Sequence, residues 1–202
     1  VGTLGVRVTA TDLGGLATNE TFNIAVTTTP TPPPATTYSL FNASSTPAQT
    51  NLNDRQQLEV GVKFQSNVAG DITAIKFYRS ANDTGQNVVD LWTATGTKLA
   101  TATFNNTSAS GWQTVALPTA VTITPNTTYI ASYHTTGTYV ATNNAFTSPV
   151  TNGPLTAPSS LTAGGNGVYA YGGNASTGIF PTSTFNSANY WADVVFRPQL
   201  AA

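Results

Sequence analysis

From Tyr38 onward the chain repeats one pattern: a short run in which apolar and polar side chains alternate, then a turn built from Gly, Asn, Asp and Thr. In "LEVGVKF" Leu58, Val60, Val62 and Phe64 fall on one side, with Glu59 and Lys63 on the other. A period of two marks a strand with one buried face, because successive strand side chains point to opposite faces. "DITAIKFYR" follows with Ile75 and Phe77 in step, then "VVDLWTAT", "KLATATF", "WQTVALP", "TYIASYHT", "TYVATNNAF", "GVYAYGG" and "YWADVVF". Segments such as "NVAG", "NDTG", "NNTSASG" and "TPNTT" separate them with residues that tolerate tight turns. No stretch holds a helical period for three turns. Eight or nine such strands predict an all-β, antiparallel β-sandwich over residues 38–202. Its simplest form is jelly-roll-like, and the alternative is immunoglobulin-like.

The first residues read differently. In "GVRVTATDLGGLATNETFNIAVT" Val6 and Val8 alternate with polar residues, "DLGG" turns the chain, and Phe22, Ile24 and Val26 alternate back. This predicts a β-hairpin over residues 1–29. A lone hairpin is marginal in water, so it reads as the end of a sandwich whose earlier strands lie upstream. "TTTPTPPPATT" comes next, and its prolines favour extended polyproline II, a semi-rigid linker over residues 30–37. The chain has no Met, which fits a piece of a longer protein, so a missing signal peptide carries no weight.

Two resemblances rest on these residues. "VTATDLGGLATNETFNIAV" resembles the last two strands of bacterial cadherin-like repeats. More broadly, "GVKFQSNVAGDITAIKFYRSANDTG", "LWTATGTKLATATF", "SGWQTVALPTAVTITPNTTYIASYHT", "NGPL", "GGNGVYAYG" and "FPTSTFNSANYWADVVF" are similar, in order, to a bacterial extracellular family. That family is catalogued as a domain of unknown function, number 4082, and the resemblance covers residues 38–197. It implies a setting more than a chemistry. Such domains stand in long secreted or cell-surface proteins beside cadherin-like and immunoglobulin-like repeats, and they bring no catalytic motif to carry over.

Composition narrows the function classes. Charged residues make up 7% of the chain, against roughly 25% in ordinary soluble domains. A surface of neutral hydroxyls and amides suits an extracellular setting. Seven Lys and Arg and a net charge of −1 leave no basic footprint for nucleic acid. No apolar run reaches the roughly 18 residues of a membrane helix, so membrane insertion is not expected. Without Cys there are no disulfides, thiolate nucleophiles or Cys-based zinc sites.

Catalysis finds little support. His134 in "SYHTTG" is the sole histidine, and neither a GxSxG elbow nor an HExxH helix is present. Glycoside hydrolysis needs two placed carboxylates, but Asp12, Glu20, Asp54, Glu59 and Asp83 read as solvated. Only Asp90 and Asp193 are embedded in strands. The aromatics are more suggestive, because flat Tyr and Trp rings stack on the C–H faces of sugars. Trp112, Tyr139, Tyr169 and Tyr171 lie where strands meet loops, and Tyr133 and His134 lie in the segment leading to Tyr139. Tyr169 and Tyr171 share a strand face among flanking glycines. These six residues are the candidate ligand-binding set; the competing reading gives the aromatics to the core. Trp92 and Trp191 read as core.

Asp193 in "YWADVVF" interrupts an apolar strand. Tyr190, Ala192, Val194 and Phe196 form its core face, which leaves Asp193 with Trp191 on the outer one. There it is solvated, paired with Arg197, or a ligand of a structural Ca²⁺, for which Asp54 and Asp71 are the further candidates. Last-strand carboxylates play that role in jelly-roll carbohydrate-binding modules, which this strand resembles. The expected function is a non-catalytic module of a secreted or surface protein that binds a glycan or matrix component. The alternatives are a spacer that contacts neighbouring domains, and a polysaccharide hydrolase.

Overall fold

The computed structural model describes residues 2–26, 36–105 and 109–199. The proline-rich run at 30–34 falls outside them. The chain divides into two compact units, Val1–Ala35 and Thr36–Ala202.

In the first unit β1 (Gly2–Thr11) and β2 (Ala17–Val26) pair antiparallel, with Leu4 opposite Ile24 and Val6 opposite Phe22. Asp12 Oδ1 shapes the turn by accepting from the amides of Gly14 and Leu16. Directly opposed residues share a face, so this ribbon carries an apolar stripe. Leu4, Val8, Phe22 and Ile24 are 45–56% exposed.

The second unit begins with β3 (Gln49–Asn53), β4 (Leu58–Ser66) and β5 (Gly70–Arg79). Then come β6 (Asn87–Thr93), β7 (Lys98–Phe104), β8 (Gly111–Ile123), β9 (Tyr129–Thr135) and β10 (Thr138–Ala141). After them β11 (Val150–Asn152) and β12 (Leu155–Ala157) lead to the one-turn helix α1 (Ser160–Ala163). The chain closes with β13 (Val168–Tyr171), β14 (Ser183–Thr184) and β15 (Ala192–Pro198). One sheet runs β11-β12-β4-β9-β6-β7, with β13 also on β4 and β14 on β13; the other is β15-β5-β8, and β3 and β10 form a separate ribbon. Every pairing is antiparallel.

The result is an antiparallel β-sandwich, as expected. The period-two faces meet in one core. Leu58, Val60, Val62 and Phe64 from β4 join Ile75 and Phe77 from β5 and Ala192, Val194 and Phe196 from β15, all essentially sealed from solvent. At about 25 cal/mol per Å² of apolar surface removed from water, this core is the main stabilising term.

The free edge of β4 is shared by two short strands. β13 pairs with its first half, placing Tyr169 opposite Val60 and Tyr171 opposite Leu58, and β12 pairs with Gln65 and Ser66. Between them Asn166 stands in for a strand residue. Its Oδ1 accepts from Lys63 N at 2.9 Å, and its Nδ2 donates to Lys63 O at 3.0 Å.

Candidate functional site

The β13 edge brings one end of the core to the surface. Tyr169 and Tyr171, two residues apart, face the same side with ring centroids 5.5 Å apart at 70°. The β3–β10 ribbon closes against them: Tyr139 pairs with Leu52, and the Asp54 amide donates to Gly137 O just beyond. Tyr190, from the segment before β15, packs edge-on against Tyr169 and tilted against Tyr139, with centroids 6.2 and 6.0 Å away. Leu58 forms the floor and Phe185 the rim of the resulting pocket, whose volume is about 320 Å³. That is the lower end of the range for small-ligand sites.

Among the described residues, Asp54 is the single charged one lining this pocket. Tyr171 donates its hydroxyl to Asp54 Oδ2 at 2.7 Å and Tyr139 donates at 3.2 Å. The bond to Asp54 is the main reason the Tyr171 phenol is pushed up to about 12. Burial, with Asp54 adding to it, lifts Tyr139 above the ordinary phenol value. The phenols therefore stay protonated at neutral pH and act as donors. Tyr171 and Phe185 are 46% and 56% exposed. The pocket thus offers tilted aromatic faces, hydroxyls and one carboxylate to a ligand approaching from water.

Three of the six candidate ligand residues, Tyr139, Tyr169 and Tyr171, meet here, and Asp54 joins them as an acceptor beside aromatic rings. The other three do not. Tyr133 belongs to the core: its ring stacks on Phe77 at 4.8 Å and its hydroxyl donates to Tyr190 O. Strand parity explains this, because on β9 it sits opposite Val60. His134 is buried on the outer face of the large sheet, opposite Glu59. Trp112 is half-buried in a separate aromatic group with Phe41, Tyr78 and Trp191, where its Nε1 donates to Ser45 O and Lys76 covers its ring. Trp92 and Trp191 are buried, as expected. Phe185 comes to the pocket from a segment with no alternation to mark it, and the alternation that includes Tyr190 marks it for the core rather than for a pocket.

Asp193 is neither solvated nor paired with Arg197. Its Oδ1 accepts from the amides of Leu40 and Val194, both at 2.7 Å, and its Oδ2 accepts from Phe41 N at 3.1 Å. Lys76 Nζ stands 3.4 Å away, while Arg197 pairs with Asp71 at 2.8 Å. The segment before β3 crosses the outer face of β15 and seals the carboxylate completely. Asp193, Asp54 and Asp71 each have different neighbours. Among the described residues no group of three His, Asp or Glu could hold a metal ion.

Two acids expected at the surface are buried. Asp83 pairs with Arg79 at 3.7 Å. Glu59 lies with Asp90, Ser132 and His134 on the outer face of the large sheet, under residues 172–181. Ser132 Oγ donates to Glu59 Oε1 and accepts from Trp92 Nε1. Ile179 N donates to Glu59 Oε2, and Phe180 packs on Trp92. Lys98 pairs with Asp90 at 2.9 Å and donates to Thr177 O. Burial, and next the charge of Asp90, raises Glu59 well above the ordinary carboxylic acid. Two carboxyl groups do converge here, but they are sealed: a Cβ on Gly178 would lie 2.9 Å from Glu59 Oε2 and closer still to Asp90 Oδ2.

Fold and pocket together define a β-sandwich domain with an aromatic pocket at one end of its core. The family profile described as a domain of unknown function, DUF4082, matches residues 44–192, and the chain belongs to that family. No curated protein matches it.

Proposed function

We propose that this chain is a non-catalytic glycan-binding module of a secreted or cell-surface bacterial protein, and that the pocket of Tyr139, Tyr169, Tyr171 and Tyr190 seats a sugar. One observation carries the reading: two aromatic rings, Tyr171 and Phe185, stand open to solvent at the mouth of a concave site whose polar groups are tyrosine hydroxyls and a carboxylate. Stacking supplies affinity and the polar groups supply orientation. The low charge content fits an extracellular surface, and the partner would be a cell-surface or matrix glycan. A glycan array probed with the 202-residue chain tests this. Changing Tyr171 to Ala should weaken any hit by about 1–3 kcal/mol and leave the melting temperature nearly unchanged, since the ring is half-exposed. Signals at background across the array would rule the reading out.

A second reading, an adhesin spacer that contacts neighbouring domains, draws support from the β1–β2 ribbon. Its exposed Leu4, Val8, Phe22 and Ile24 form the kind of stripe a packed partner strand would cover.

A further inference from the structure

Of the six carboxyl groups in the unit Thr36–Ala202, four are matched by a basic side chain at 2.8–3.7 Å: Asp71 by Arg197, Asp83 by Arg79, Asp90 by Lys98 and Asp193 by Lys76. A fifth, Glu59, is pushed by burial toward its neutral form. Asp54 is different. Among the described residues no lysine or arginine pairs with it; its partners are the hydroxyls of Tyr139 and Tyr171. It is also the carboxylate that faces a pocket. A carboxylate has about four acceptor positions, so two phenol donors leave room for another donor while the negative charge goes unmatched. Around it stand aromatic rings turned edge to face, whose π-faces attract cations. A neutral sugar would use the rings and leave the charge uncompensated.

Resting on the glycan-binding reading above, we infer that the pocket selects a sugar bearing a free, protonated amine, with the ammonium against Asp54 and the ring on Tyr169 and Tyr171. A volume of about 320 Å³ accommodates a pyranose ring, whereas a lone ammonium on an alkyl chain would fill little of it. Acidic sugars are excluded by the same carboxylate, since bringing like charges together in a partly desolvated site is unfavourable.

The test is calorimetric titration of the 202-residue chain with three probes: a glucosamine hexamer, an N-acetylglucosamine hexamer, and Nα-acetyl-lysine amide. The two sugars differ by whether the nitrogen carries charge. The titrations run at about pH 6, above the ordinary range of a carboxylic acid and below that of an amine. The glucosamine hexamer should bind about tenfold tighter than its acetylated counterpart, equivalent to about 1.4 kcal/mol. Asp54→Asn should erase that ratio. Raising salt should weaken the wild type toward the variant. Equal or tighter binding of the acetylated hexamer would overturn the amine inference and leave glycan binding standing. So would a tenfold preference that survives in Asp54→Asn, which would place the charge recognition elsewhere. Binding of the lysine amide without the glucosamine hexamer would make the pocket a peptide site and overturn it too. Failure of all three probes on an array-negative protein would remove the parent reading as well. Melting curves of Asp54→Asn show whether its fold is intact.

Discussion

Asp193 shows how a single buried charge can organise a chain. Its two oxygens accept three backbone amides and stand beside Lys76, so the segment carrying Leu40 and Phe41 is tied to the last strand through one side chain. Truncating it would leave the Leu40 and Phe41 amides without acceptors, at about 1–3 kcal/mol for each buried group. Asp193→Ala should therefore lose about 2–5 kcal/mol in urea denaturation. A chelator should leave the wild-type melting curve unchanged, because those oxygens already serve N–H donors. Glu59 gives a prediction in pH. Burial, then Asp90, raises its folded-state value above the ordinary 4.5, so as pH climbs past that value the unfolded chain releases this proton first. The folded state then holds more protons, and stability falls as pH rises, by at most about 1.4 kcal/mol per unit for one group. Asp90 and Asp193, also raised by burial, contribute in the same direction, and His134, lowered by burial, contributes in the opposite one. All three persist in Glu59→Gln, so the readout is a difference. Relative to this variant, the wild type should lose stability in urea melts as pH rises above the ordinary 4.5. A constant difference would mean that Glu59 ionises normally in the folded protein.

At the scale of elements, the edge of β4 shows what alternation can and cannot specify. The run from Leu58 to Phe64 announces its core face in the sequence, because period two is a local property. Its neighbours are not local: β9, β12 and β13 all come much later in the chain, and none is encoded in β4 itself. Glu59 reads as solvated for the same reason, since nothing near it signals that residues 172–181 will cover the outer face. The pair Tyr169 and Tyr171 is legible because i and i+2 share a face. That Asp54 lies within hydrogen-bonding distance of one of them, 117 positions away, is a product of topology alone. Asn166 is another such product. It bridges the gap between β12 and β13 by satisfying both the N–H and the C=O of Lys63, and it also donates to Pro158 O. Asn166→Ala should cost about 2–4 kcal/mol, since it strands backbone groups that water reaches poorly. Asn166→Asp keeps the acceptor but turns a buried carboxylate oxygen toward the Lys63 and Pro158 carbonyls, and should cost at least as much as alanine. An alanine variant as stable as wild type would show that the edge reseals without the amide.

For the whole molecule, the question is whether the sandwich is complete by itself. Its core, from Leu40 to Phe196, is drawn wholly from the unit Thr36–Ala202. Both sheets, the pocket and the buried polar cluster also use residues of that unit alone. The β1–β2 ribbon forms its own pairing and leaves its apolar stripe exposed. A domain of this size has enough apolar interior to fold without disulfides, which the absence of Cys requires. Deleting residues 1–35 should therefore shift the melting temperature of the remainder by no more than about 2–4 °C, the change that about 1 kcal/mol produces in a domain of this length. If the proposed glycan binding is found, the deletion should leave it unaffected, because every pocket residue is retained. Calorimetry of the two chains side by side measures both quantities. A fall much larger than this, or a second transition lost together with the first, would mean that the ribbon and the sandwich fold as one cooperative unit.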